Sequence, residues 1–197
     1  MILIGLTGGI GCGKSEVSGL LADRGAIIID ADLIVRELQR PGEEIFNKIV
    51  EIFGSSVIAE DGSLNRGAVA NEVFKSTENL KKLNELIHPV VRQVMNERVK
   101  SYSDTSKIVV LDIPLLVENP REGLDGIVVV DLDPEIAVAR IVDQRKMNID
   151  DARARVANQS SREQRKAIAN FIIDNSGDRK ALNLQVDAAW SWITALK

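Results

Sequence analysis

One cysteine, Cys12, stands among 197 residues. That excludes an intrachain disulfide framework and a zinc site built on thiolates, and it fits a reducing cytoplasm. Histidine is equally scarce, with His88 alone. Aromatic residues make up only 4% of the chain, and Trp190 and Trp192 share one C-terminal helical pattern, reading as packing rather than a base-stacking platform. Positive charge is not in excess: 25 Lys and Arg against 29 Asp and Glu give a net charge of −4. No global field therefore draws the chain to nucleic acid or to a membrane surface, and an anionic ligand must be met by local basic clusters. The apolar segment Ile2–Leu6 is too short for a signal sequence or a membrane span and has no charged lead before it. A cytoplasmic monomer is the starting expectation. Repeats and low-complexity tracts are absent.

What is present is a recurring apolar, β-branched run that ends on a polar or acidic residue. These runs are 2–7, 26–30, 107–112, 126–131 and 171–175. Without alternation, they suit strands buried on both faces, as in a parallel sheet. Helical spacing lies between them, at Val17, Leu20 and Leu21 and from Val90 to Val99. The expectation is an α/β fold, a five-stranded parallel sheet with helices on both faces, in one domain of ordinary size. Ligands bind such sheets beyond the carboxyl ends of the strands, which places Asp30, Asp112 and Asp131 at the functional rim. The long helical stretch 33–106, with turn signals at Arg40-Pro41-Gly42 and Glu60-Asp61-Gly62, reads as an inserted helical region. Segment 140–166 carries eight Arg and Lys residues but few large apolar ones, and reads as an arginine-rich lid over the surface. The core is then 1–32, 107–139 and 167–197.

Residues 8–15, Gly-Gly-Ile-Gly-Cys-Gly-Lys-Ser, match G-x-x-x-x-G-K-[ST] between an apolar strand and an amphipathic helix. Glycines at 9, 11 and 13 let backbone N–H groups, Cys12 included, surround a polyphosphate where side chains would collide. Lys14 would reach the β- and γ-phosphates and the Ser15 hydroxyl would hold Mg²⁺, so the donor is Mg-ATP. The guanine motif N-K-x-D is missing, since Asn47-Lys48 is followed by Ile49-Val50. No Glu follows a strand-end Asp to activate water. A kinase needs neither; it needs an acceptor hydroxyl, a base and cationic charge. Another small-molecule P-loop kinase, or an adaptor that uses ATP only to change shape, are the rivals.

The order and spacing of GLTGGIGCGKS, IIIDAD, GSLNRGAV, NELIHPVV, DIPLLVE, VANQ and IIDNSG resemble the dephospho-CoA kinases, from Leu3 to about Val186. The resemblance implies a P-loop kinase of the nucleoside-monophosphate-kinase type that phosphorylates the ribose 3′-hydroxyl of dephospho-CoA with ATP, the last step of coenzyme A synthesis. It implies that Asp32 faces the acceptor hydroxyl, with a helix N-cap as the plainer alternative. It also makes Arg66, His88 and Leu115 substrate contacts, Glu16 part of the ATP site and Asn175 an adenine-side contact. For Arg66 the alternative is a solvated helix end, for Asn175 a turn residue. His88 stands before Pro89, which signals a helix boundary, and a lone histidine is as readily structural. Asp112 reads as an Mg²⁺-side carboxylate or as a group ordering the Pro114 turn. Asp131 reads as a strand-end cap. Arg140, on the helix after the fourth strand, is the first candidate for charge on the transferring phosphoryl, and Arg145 the next; Arg153 and Arg155 read as a solvated face. The chain departs from the family pattern at Cys12, Glu16, Val117 and Asn170.

Overall fold

The computed structural model describes residues 1–196; Lys197, the end of the expected core, lies outside the described residues. β1 (Ile2–Gly8), β2 (Ile27–Asp30), β3 (Ile108–Asp112), β4 (Gly126–Asp131) and β5 (Phe171–Asp174) form one parallel sheet in the order β2-β3-β1-β4-β5. These are the five apolar runs. Their central residues cannot alternate, because both faces are covered: Ile4, Leu6, Val109, Val110, Leu111 and Val128 have no exposed surface. Strand order reverses at β1, which opens a crevice at its carboxyl end, where the glycine loop begins.

Contacts divide the chain into two compact units, Met1–Asp30 with the chain from Ser101 onward, and Ala31–Lys100. In the sheet unit, α1 (Lys14–Asp23) and α9 (Arg179–Thr194) lie beside one another. α9 is capped by Asp178, which accepts from Ala181 N at 2.8 Å, and it buries Leu182, Val186, Ala189 and Ile193 at spacings of three and four. Trp192 lies 5.6 Å from the Phe171 ring, centroid to centroid, and above Gly126, where a Cβ would stand 2.6 Å from the indole. The tryptophans are packing, as expected. Asn170 is structural too, its Oδ1 accepting from Ile127 N at 2.9 Å. The arginine-rich stretch forms α6 (Pro134–Arg145), α7 (Ile149–Ala157) and α8 (Arg162–Ala167). It is mostly exposed, except that Ala152 is fully buried in a small cluster with Val138 and Ile141.

The helical unit contains α2 (Ala31–Leu38), α3 (Glu44–Phe53), α4 (Arg66–Phe74) and α5 (Thr77–Lys100) around Ile45, Ile49, Val57, Val69, Val73 and Ile87. Both turn signals fall between helices, and Asp61 closes the second by accepting from Ser63 N at 2.9 Å. α2 begins at Ala31, so Asp32 is helical. One local expectation fails here: the chain does not break at Pro89, which lies inside α5. Ile87 before it and Met95 and Val99 after it are buried, so packing on both sides outweighs the hydrogen bond that proline removes.

His88 and Pro89 are themselves exposed. Pro89→Ala should therefore restore a backbone hydrogen bond without opening a cavity, and raise stability by up to about 3 kcal/mol. An unchanged or lower urea midpoint would show that the helix is fitted to the proline.

Candidate active site

The glycine loop carries the chain from β1 into α1. Two residues on the way adopt left-handed backbone, Gly11 at φ 78° and Gly13 at φ 85°, which side chains with a Cβ rarely accept. Gly13 is also the N-cap of α1 and supplies no side-chain cap, so the helix start offers its N–H groups and positive dipole end to an anion. A Cβ on Gly13 would collide with the Asn175 amide, whose Nδ2 donates to Cys12 O at 2.8 Å. Arg140 in turn donates from Nη2 to Asn175 O at 2.8 Å. Asn175, 5% exposed, thus joins the end of β5, the loop and α6 at one point; it is more than a turn residue. Cys12 is 3% exposed, and burial pushes its thiol above the usual range, with the Lys14 N–H and charge opposing. It is a packed side chain, and its burial disfavours the thiolate.

Sheet register sets a row of carboxylates along the same rim. Asp30 lies beside Asp112, and Asp131 beside Asp174. Asp112 is 2% exposed and ion-pairs with Lys14. Burial raises its pKa and the Lys14 charge opposes the rise, while Asp30 adds to it. It does not order the Pro114 turn. Thr7 does that, its Oγ1 donating to Pro114 O at 3.1 Å, with Ile113 N donating to Leu6 O at 2.9 Å. Ser15 and Glu16 stand exposed in the first turn of α1, and Arg179 lies 3.4 Å from Glu16. Leu115, just past Pro114, is 42% exposed, an apolar surface open to a ligand.

Asp131 ends β4. The N-cap of α6 is Asp133, accepting from Glu135 N at 2.9 Å. Asp131 instead accepts two hydrogen bonds from Arg162, at 2.8 and 2.7 Å, a bidentate geometry that binds α8 to the end of β4. Sequence reasoning missed this pair, and also Gln159 and Arg165, which touch the glycine loop itself. Gln159 Oε1 accepts from Ile10 N at 2.7 Å. The Arg165 guanidinium lies where a Cβ on Gly9 would come within 2.9 Å of it. Only the basic run and the phrase VANQ marked this region in the sequence. Arg145, Arg153 and Arg155 are exposed, and Arg153 pairs with Glu135 at 3.1 Å.

The sheet unit therefore brings together Gly9, Gly11, Cys12, Gly13, Lys14, Ser15, Asp112, Arg140 and Asn175. Asp32, Arg66 and His88 belong to the helical unit. There Asp32 is exposed in the first turn of α2, Arg66 is the exposed first residue of α4 behind an Asn65 cap, and His88 lies on the open side of α5.

Arg162 holds the Asp131 carboxyl below the usual aspartate range, mainly through its hydrogen bonds, with burial opposing. The stabilisation is therefore present above the ordinary value of 3.8 and is lost as pH falls through the lowered one. Asp131→Asn should lower the urea midpoint at neutral pH. The gap between wild type and variant should close as the medium is made more acid than that ordinary value. A gap independent of pH would contradict the pairing.

Comparison with known proteins bears on the family and the fold. The sequence model of dephospho-CoA kinase matches residues 2–181. A dephospho-CoA kinase of Streptomyces avermitilis is 44% identical over 192 residues, which span 97% of this chain and 93% of that one. A crystal structure from Thermus thermophilus has a TM-score of 0.82 at 31% identity and 98% coverage of both chains. A dephospho-CoA kinase from Campylobacter jejuni shares the fold, with a TM-score of 0.72, 22% identity, and coverage of 98% and 96%. A five-stranded P-loop kinase core, a glycine loop with its lysine, and a match through nearly the whole length agree: the chain belongs to the dephospho-CoA kinase family.

Proposed function

We propose that the protein transfers the γ-phosphoryl group of ATP to the ribose 3′-hydroxyl of dephospho-CoA, giving coenzyme A, ADP and a proton. The observation that carries this reading is the extent of the family match, residues 2–181, which takes in the helical unit as well as the nucleotide loop. Backbone groups of Gly9, Gly11, Cys12 and Gly13 surround the phosphates. Lys14, which holds one anion in Asp112, exchanges it for the β- and γ-phosphates. Arg140, anchored on Asn175 O rather than on a carboxylate, keeps its full charge for the phosphoryl in transit. Asp32 orients the acceptor hydroxyl or takes its proton, and Arg66, His88 and Leu115 contact the acceptor. Glu16 and Asn175 flank the nucleotide.

The donor set fits magnesium. Ser15 and Asp112 are hard oxygen ligands, and among the described residues no cluster of three His, Cys, Asp or Glu side chains could hold a metal unaided. Mg²⁺ takes few protein ligands and completes its shell with water and phosphate oxygens, supplying charge neutralisation on the nucleotide. Segment 140–166 serves as a lid that excludes water, and 33–106 as the acceptor region. We place the reaction in the cytoplasm, with a monomer acting on small molecules. Among the described residues no helix is long and apolar enough to cross a membrane.

Purified protein given Mg-ATP and dephospho-CoA should produce coenzyme A and ADP in equal amounts. Asp32→Asn should lower kcat by about 10²–10⁴-fold with little change in the KM for ATP. Turnover of a different hydroxyl acceptor with dephospho-CoA inert would discard this reading, and ATP binding with no turnover of any acceptor would favour an ATP-driven adaptor.

A further inference from the structure

Three arginines of the arginine-rich segment are half-buried: Arg140, Arg162 and Arg165. Arg162 is neutralised by Asp131 and by Asp133 at 3.5 Å. The other two differ. Among the described residues neither Arg140 nor Arg165 forms an ion pair, and each donates to a neutral carbonyl, Arg140 to Asn175 O and Arg165 to Ser160 O. They meet the glycine loop at its two ends. Arg140 approaches the Gly13 side, with Nη1 at 3.9 Å from a Cβ placed there, and Arg165 lies over Gly9.

Arg165 reaches that place through a turn held at several points. Gln159 Oε1 accepts from Ile10 N at 2.7 Å, so the residue next to Gly9 is tied to the start of the turn. Glu118 Oε1 accepts from Ser160 N at 2.8 Å, which occupies the carboxylate that feels the Arg165 charge. Ser161 and Gln164 then form a reciprocal capping box that opens α8, with Arg165 in its first turns. Gly9 has no positive φ, so its lack of a side chain serves close approach and not backbone conformation. An alanine there would first meet the movable tip of Arg165.

We propose that Gln159 is a positioning residue for phosphoryl transfer: by accepting the Ile10 N–H it seats the turn into α8 on the glycine loop and sets Arg165 over Gly9, where Arg165 acts with Arg140 on the transferring group. This rests on the kinase reading of the site. Among the described residues, two cations held by neutral carbonyls on either side of a phosphate loop are tied up in no ion pair. Their effect then depends on placement, which Gln159 supplies to one of them.

The test is a double-mutant cycle with Gln159→Leu and Arg165→Ala, assayed with Mg-ATP and dephospho-CoA. Each should lower kcat by roughly tenfold or more while changing the KM for dephospho-CoA little, and the double variant should fall no further than the worse single one. Gly9→Ala should lower kcat in the wild-type background and add little in the Arg165→Ala background. Arg153→Ala, on the solvated side of α7, should stay near wild type. Losses that multiply independently, or a Gln159→Leu protein that loses urea stability with kcat intact, would overturn the proposal. If the wild-type protein leaves dephospho-CoA unphosphorylated, the kinase reading fails by itself. The same cycle is then read in Mg-ATP affinity, where coupled losses support the seating of Arg165 by Gln159 and independent ones refute it.

Discussion

A carboxylate buried at the end of a parallel strand has to be matched by a cation, and Asp112 is matched by Lys14. Without that partner the charge would carry the full cost of leaving water, several kcal/mol for an unpaired ion. The pair ties the first residue of α1 to the end of β3. It therefore fixes where the helix starts relative to the sheet, and the loop between β1 and α1 must span that gap with glycines in left-handed backbone. The lysine of the loop and the fold of the loop answer to the same electrostatic demand.

A second buried carboxylate mirrors it across β1. Asp131 ends β4 and is matched by Arg162, which draws α8 onto the sheet. This sorts the many cations of the arginine-rich segment by what they face. Arg162 is consumed structurally by Asp131, whereas among the described residues Arg140 and Arg165 hydrogen-bond to carbonyl oxygens and form no ion pair. Counting basic residues could not have drawn that line, because all three arginines lie in the same polar run.

The sheet was legible in the sequence because burial on both faces removes alternation and leaves each strand as a plain apolar run. The loop was legible because its glycine spacing encodes backbone conformation directly, with Lys14 and Ser15 at fixed offsets. Partners far apart in the chain were not legible: Gln159 meets Ile10 across 149 residues and Arg162 meets Asp131 across 31, contacts that only the packed sheet and helices define. Local rules failed where tertiary packing overrode them. Pro89 signals a boundary by its chemistry, yet buried Ile87, Met95 and Val99 carry α5 through it.

β5 is a four-residue strand at the edge of the sheet, with a neighbour on one side only. Such strands open at a lower free energy than central ones. The residue after it, Asn175, is bonded to both the glycine loop and Arg140, so fraying at this edge would loosen both sides of the phosphate cradle together. By mass action, any ligand that binds only the assembled cradle stabilises it by RT ln(1 + [L]/Kd). The order of this edge strand thus becomes a function of nucleotide concentration, and its integrity reports whether the site is filled.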